Sequence, residues 1–307
     1  MGDIRNKLAK IERAKSERAA INRFLGLPDN HTHTYAPPPP PITCTACGAA
    51  NPWAIQPDRW AKPLFLCSAH LPEWAAYEIE NGERQDRMCN LYSMTKSQDA
   101  IRQLTRTIRD MTGNLAPLPA IFPNRMAPVV RTGADGQREL LMMRWGFPPP
   151  NIPGSKPRNP YLTNVRNTDS RYWQTYLKKP EQRCLVPATS FAEPDNNQGP
   201  KSIWTWFAQD ESRPLIFFAG IWREWDGDRG TKAAPDVGKH LVFSFLTTDA
   251  SHDVAPVHSD ATPVCLFDED AREMWMNAPW ELAQTLQRPP PPGSLKIVAA
   301  GRKEDGL

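Results

Sequence analysis

Long apolar runs are missing from this chain. No stretch is long enough to span a bilayer, and the N-terminus lacks the apolar core of a secretory signal. Membrane and exported classes are therefore set aside, and a cytoplasmic setting is expected. Cysteine is scarce, with six in 307 residues, at 44, 47, 67, 89, 184 and 265. Three of them fall in one short segment, which suits reduced thiols better than a disulfide framework. A strong charge of one sign is absent too. The formal net charge of +3 is compatible with nucleic acid but does not establish it. Proline, by contrast, is abundant at 33 residues, which favours loops and linkers over a helical bundle.

The prolines divide the chain. Residues 3–25 carry Ile4, Leu8, Ile11 and Ala14 at helical spacing, with Arg5, Lys7, Lys10, Arg13, Lys15 and Arg18 on the other faces. A solvated amphipathic helix explains that basic pattern more simply than a nucleic-acid arm. The run Pro37-Pro38-Pro39-Pro40-Pro41 is a stiff spacer that closes the first unit, residues 1–41. Residues 42–87 form a second unit holding Cys44-x-x-Cys47 and Cys67-x-x-His70. Two paired knuckles of this kind are what a tetrahedral structural zinc site needs, and Gly48 suits the first turn. So short a segment draws much of its folding energy from a metal, so zinc is the expected cofactor here.

Residues 88–307 read as one larger domain. Thr95-x-x-Gln98 has the form of a capping box, followed by Ile101, Leu104, Ile108 and Met111 on one helical face and Gly113 as a stop. Short β-type runs follow: Ala127–Thr132, Glu139–Trp145, Ser202–Phe207, Leu215–Trp222, Leu241–Thr247 and Pro263–Phe267. A helix with an acidic cap is expected near Asp268–Asn277, and a last strand at Leu295–Ala300. Many short strands with few helices argue against a doubly wound parallel sheet. The expected class is α+β, an antiparallel β-rich, barrel-like domain with few helices.

Four stretches carry reactive side chains: Met88-Cys89-Asn90-Leu91-Tyr92-Ser93, Thr163-Asn164-Val165-Arg166-Asn167-Thr168, Arg183 to Glu193, and Pro256-Val257-His258-Ser259-Asp260. A Cys that becomes the first residue, once its Met is removed, carries two neighbouring nucleophiles. Its thiol has a reference pKa of about 8.5 and its α-amine about 7.7–8.0. With these four stretches in order, the chain resembles the SOS-response-associated peptidase (SRAP) family, the abasic-site processing proteins, over residues 88 to about 304. Lesser matches are Arg144-Trp145-Gly146-Phe147, Ile216 to Trp222 and Leu246 to Ala250.

The resemblance implies a protein of the DNA-damage response that holds single-stranded DNA at an abasic site and joins its N-terminal Cys to the ring-opened aldehyde. By that analogy Cys89 is the nucleophile, Asn164 orients it, and Glu193 and His258 carry protons. Arg166 sits where the family grips phosphate. Two departures stand out. Aromatic positions of many members hold Pro194 and Pro148-Pro149-Pro150 here, leaving Trp145 and Phe147 as the expected base-stacking rings. Moreover, 88 residues precede Cys89, and an internal Cys has no free amine. Translation starting at Met88, self-cleavage before Cys89, and a fused zinc module without crosslinking all remain open. Beside the crosslinking protein stand two other functions: a self-processing cysteine peptidase with Glu193 or His258 as base, and a non-catalytic zinc-dependent nucleic-acid adaptor. Cys184 and Cys265 lie in apolar runs and read as core.

Overall fold

A computed structural model describes residues 53–55, 64–66, 90–149, 161–195 and 203–305. The helix expected over 3–25, the proposed zinc ligands Cys44, Cys47, Cys67 and His70, and Cys89 itself lie outside the described residues. Ahead of the main domain, β1 (Trp53–Ile55) and β2 (Leu64–Leu66) pair antiparallel.

The main domain opens with β3 (Tyr92–Met94), α1 (Gln98–Thr105), β4 (Arg109–Asp110) and β5 (Leu118–Ile121). The hairpin of β6 (Met126–Thr132) and β7 (Arg138–Trp145) comes next, then β8 (Asn164–Val165) and α2 (Arg171–Leu177). β9 (Arg183–Ala188) passes through Thr189 into β10 (Ser190–Asp195), and β11 (Ile203–Ala208) follows. β12 (Ile216–Asp228) and β13 (Val237–Thr248) form a long hairpin; β14 (Thr262–Pro263) and β15 (Cys265–Leu266) are short. Helices α3 (Glu269–Asn277) and α4 (Trp280–Ala283) precede β16 (Lys296–Ala300).

Five strands close into a barrel. β13, β12, β9, β6 and β7 are antiparallel neighbours in that order. A parallel contact that sets Arg144 beside Val242 and Trp145 beside Phe243 joins β7 back to β13. Aromatic rings fill the centre. Trp145 lies 5.1 Å from Tyr92 and 5.2 Å from Phe245, and Phe218 lies 4.9 Å from Phe245. Such contacts add about 0.5–1.5 kcal/mol per pair beyond the area they bury. The expected β-rich class with few helices is therefore the observed one.

A helix covers the outside of the barrel. β9 is buried on both faces because α3 lies over it. Trp275 of α3 donates its indole N–H to the carbonyls of Cys184 (3.0 Å) and Gly220 (3.1 Å). Gly220 is needed there, since a Cβ would stand 2.8 Å from the Cys184 Sγ. Arg183, wholly buried, donates to the carbonyls of Leu177, Trp275 and Ala278 at the ends of α2 and α3. Burial lowers its pKa, while the negative ends of the two helices favour its charge.

A second antiparallel sheet, ordered β16-β11-β10-β3-β5, packs on one end of the barrel. The chain crosses between the sheets at Thr189, whose N–H donates to the Ser93 carbonyl at 2.8 Å. Among the described residues no helix is long and apolar enough to cross a membrane.

Helix α1 is shorter than its apolar spacing suggests. Ser97, not Thr95, caps it, accepting from the Ala100 N–H. Gln98 instead bridges Asp110 and the Leu115 N–H. The helix stops at Arg106, which adopts a left-handed conformation (φ 53°). Beyond it, Arg109 and Asp110 pair with the edge of β7, which leaves Ile108 and Met111 exposed. Strand pairing outweighs the helical period there because β7 offers an open row of backbone partners. Helix α3, by contrast, starts as expected, with Asp268 accepting from the Ala271 N–H at 2.8 Å.

Candidate active site

Three segments converge on the residues that directly follow Cys89. On one side runs β10, where Tyr92 pairs with Phe191 and the Ala192 N–H donates to the Leu91 carbonyl at 2.9 Å. That pairing brings Glu193, the next residue of β10, to the start of β3. On the other side is β8, which lies parallel to β13 with Asn164 beside Phe245. The Asn164 amide donates to Thr163 Oγ1 at 2.9 Å, and that hydroxyl donates to Asn90 Oδ1 at 2.8 Å. Asn90 is thus held by the same short run that carries Asn164.

The third segment brings a histidine. Residues 251–257 form a turn in which Ser251 Oγ accepts from Val254 N–H and the Val254 carbonyl accepts from His258 N–H. Asp253 fixes the turn by accepting from the Gly293 and Leu295 N–H groups. Burial opposes its charge, but those two donors prevail and hold its pKa below the usual carboxylate range. At the end of the turn, His258 Nε2 lies 3.7 Å from Glu193 Oε2. Both side chains are almost fully buried. A carboxyl and an imidazole at this spacing, shielded from bulk water, can relay a proton with little reorganisation.

Arg166 lies just past the end of β8. One amino group pairs with Asp249, while Nη1 is buried with no partner. Gln287, which the sequence reading missed, ties this region together. It donates to the carbonyls of Arg166 (2.8 Å) and Thr247 (2.9 Å) and accepts from the Thr168 hydroxyl (2.7 Å).

Trp145 and Phe147 require a correction. Both rings are 0% exposed and sit in the core, so neither is available to stack on a base. Gly146 between them has φ +112°, a conformation that favours glycine, and a Cβ there would meet the Tyr161 Cβ at 2.8 Å. Phe147 consequently pairs with Leu162 and packs against Trp173. Trp145 acts from behind the site instead, donating its indole N–H to the Thr163 carbonyl at 3.0 Å. Cys184 is buried and its thiol pKa is pushed well up by that burial; Cys265 is half-buried and raised for the same reason. Neither is poised as a nucleophile.

Residues 88–302 match the family described as SOS response associated peptidase (SRAP). The chain belongs to the SRAP family. Among relatives, it is 25% identical over 194 residues to the abasic site processing protein YoqW of Bacillus subtilis, spanning 62% of this chain and 80% of that protein. It is also 25% identical over 196 residues to the abasic site processing protein YobE of the same organism, covering 62% and 82%. In structure, this SRAP domain resembles a crystal structure of a protein from Bordetella bronchiseptica with a TM-score of 0.53 at 23% identity. That match covers 71% of this chain and 100% of the other, and it supports the shared fold.

Proposed function

We propose that this SRAP protein processes abasic sites in single-stranded DNA by forming a covalent thiazolidine through Cys89 once Cys89 is the N-terminal residue. The observation that carries the reading is the convergence of Asn164 and the Glu193–His258 pair on Asn90 and Leu91. Residues next in sequence to Cys89 are thereby fixed beside one orienting amide and two proton carriers.

The chemistry accounts for each part. Glu193 or His258 delivers a proton as the abasic sugar opens to its aldehyde. The Cys89 α-amine then attacks the aldehyde carbon, and loss of water gives an imine. The thiolate adds to the imine carbon while the imine nitrogen takes up a proton, which closes a five-membered ring. Only a free 1,2-aminothiol can do this. The reading therefore requires a start at Met88 with removal of that Met, or cleavage before Cys89. Arg166, whose side chain is partly exposed beside Asp249, takes a phosphate of the strand.

The deciding experiment joins two measurements. Intact mass of the purified protein is expected to show a species beginning at Cys89. A chain beginning at Met88 is expected to form a heat-stable adduct with single-stranded DNA bearing one abasic site, whereas Cys89→Ser forms at most a transient imine. Wild-type yields of stable adduct from Cys89→Ser would end this mechanism. The zinc reading of Cys44, Cys47, Cys67 and His70 is part of the proposal on their spacing alone. Metal analysis of the full chain is expected to give about one zinc, lost in Cys44→Ser; a zinc-free wild-type chain would refute it.

A further inference from the structure

The opposite end of the barrel holds an open groove. Gln182, one residue before β9, lies at that end, and Thr189 lies at the end that meets the second sheet. Six strand residues separate them, roughly 20 Å at about 3.3 Å per residue. Between α2 and the β12–β13 hairpin lies an open groove of about 660 Å³, within the usual size for a small-molecule site. Its wall includes Arg131, Tyr176, Lys179, Gln182, Trp222 and Arg223. None of these belongs to the site around Asn90 and Glu193.

The groove is cationic and has a planar wall. The Arg131 guanidinium lies 4.3 Å over the Trp222 ring, and its Nε donates to Glu139 at 2.9 Å. Trp222 is itself pinned, its indole N–H donating to the Glu181 carbonyl at 3.0 Å. Arg223 donates to the Tyr176 hydroxyl and to the backbone carbonyl of Glu224. Among the described residues, neither Lys179 nor Arg223 has a carboxylate at ion-pair distance. Glu224, the one acid among the described residues that line the groove, lies 3.1 Å from Lys239. Gln182 adds a buried Oε1 with no hydrogen-bond partner. Two uncompensated cations and a stacked planar pair thus face one space.

We propose that this groove binds a phosphate-bearing nucleotide. Lys179 and Arg223 take the phosphate, and the base lies along the Arg131–Trp222 pair. The same chemistry is offered by a free nucleotide and by the end of a DNA strand. The proposal stands independently of any reaction at Cys89.

Calorimetric titration of the full chain with inorganic phosphate, thymidine 5′-monophosphate and a 5′-phosphorylated thymidine trinucleotide tests it. Thymidine monophosphate is expected to bind about tenfold more tightly than phosphate, because only it can stack. Lys179→Glu combined with Arg223→Gln is expected to weaken both nucleotides by about tenfold or more. Lys179 is exposed, so Lys179→Glu alone, with an unchanged melting temperature, checks the charge without risk to the fold. A trinucleotide bound more tightly than the mononucleotide assigns the groove to a strand end; equal binding assigns it to free nucleotides. Failure of all three probes to bind at about 1 mM, nucleotide binding unchanged in Lys179→Glu, or phosphate binding as tight as that of either nucleotide would each overturn the proposal.

Discussion

The two ends of this barrel use ionisable groups in opposite ways. At the end that meets the second sheet, Glu193 and His258 are shut away from solvent, 3.7 Å apart, and surrounded by hydrogen-bonded backbone. At the far end, Lys179 and Arg223 line an open groove and, among the described residues, have no carboxylate partner. Groups held out of water suit proton transfer, since little solvent must reorganise as charge moves. Charges left in water suit recognition of a counter-charge, because they give up little solvation when a ligand arrives. One fold thus holds a buried ionisable pair at one end and exposed cations at the other.

The comparison breaks most readily at Glu193. Glu193→Gln keeps the shape but removes the exchangeable proton. It is expected to slow single-turnover crosslinking by about 10²–10⁴-fold while leaving DNA binding nearly intact. If binding falls and crosslinking at saturation stays normal, the buried end is structural and the contrast with the groove disappears. A smaller loss is expected for Trp145→Phe. That change keeps a ring in the core but leaves the buried Thr163 carbonyl with only the longer bond from the Phe245 N–H (3.4 Å), at a cost of about 1 kcal/mol in stability. Urea denaturation measures it, and a crosslinking rate that falls in parallel would show that Thr163 and Asn90 depend on this support.

Arg166 tests the boundary between the two behaviours. Arg166→Ala is expected to weaken DNA binding with or without an abasic site, and to lower the salt slope by about one phosphate contact. An unchanged slope with slower crosslinking would move Arg166 into the buried chemistry instead.

The smallest effect concerns acid. Glu139 sits beneath the far groove, paired with Arg109 and Arg131. Burial alone would raise its pKa, but hydrogen bonds from the two arginines outweigh that and hold it below the usual carboxylate range. The folded protein therefore binds fewer protons here than the unfolded chain does. This contribution to stability is complete above the unfolded value and is lost as pH falls through the folded one. Glu139→Gln is expected to flatten the loss of stability at acid pH. A melting temperature with the same acid dependence in variant and wild type would disprove the link.

Much of the fold was legible because its strands alternate. The runs expected at Ala127–Thr132, Glu139–Trp145 and Leu295–Ala300 were found within a residue of their bounds. The expected Leu215–Trp222 run proved far longer, because the exposed half of β12 carries polar residues that conceal a strand supported only by its hairpin partner. The rings were misread for a different reason. Trp145 shares its alternation with Leu141 and Met143, both buried, and that period already pointed it inward. The motif Arg144-Trp145-Gly146-Phe147 drew attention to its chemistry at the expense of its phase. At the site, Glu193 and His258, from two separate stretches, lie 3.7 Å apart. Gln287 and Thr163 could not be read in advance, since their partners are fixed by tertiary approach over long separations and leave no local pattern.

The seam that closes the barrel carries a consequence for how the chain folds. Trp145 and Phe243, which meet in the parallel β7–β13 contact, are roughly 100 residues apart in sequence. The hairpins β6–β7 and β12–β13 need only local loops, so they can form early and cheaply in entropy. The seam can form only after β9 has joined both hairpins, since only then are its two edges held within reach. Ring closure is therefore expected to come late in folding, which a slowed refolding rate in a variant of the β6–β7 turn, but not of the seam, would check. Amide protons at the seam will exchange with deuterium before those inside the hairpins, marking it as the place where the native ring first opens.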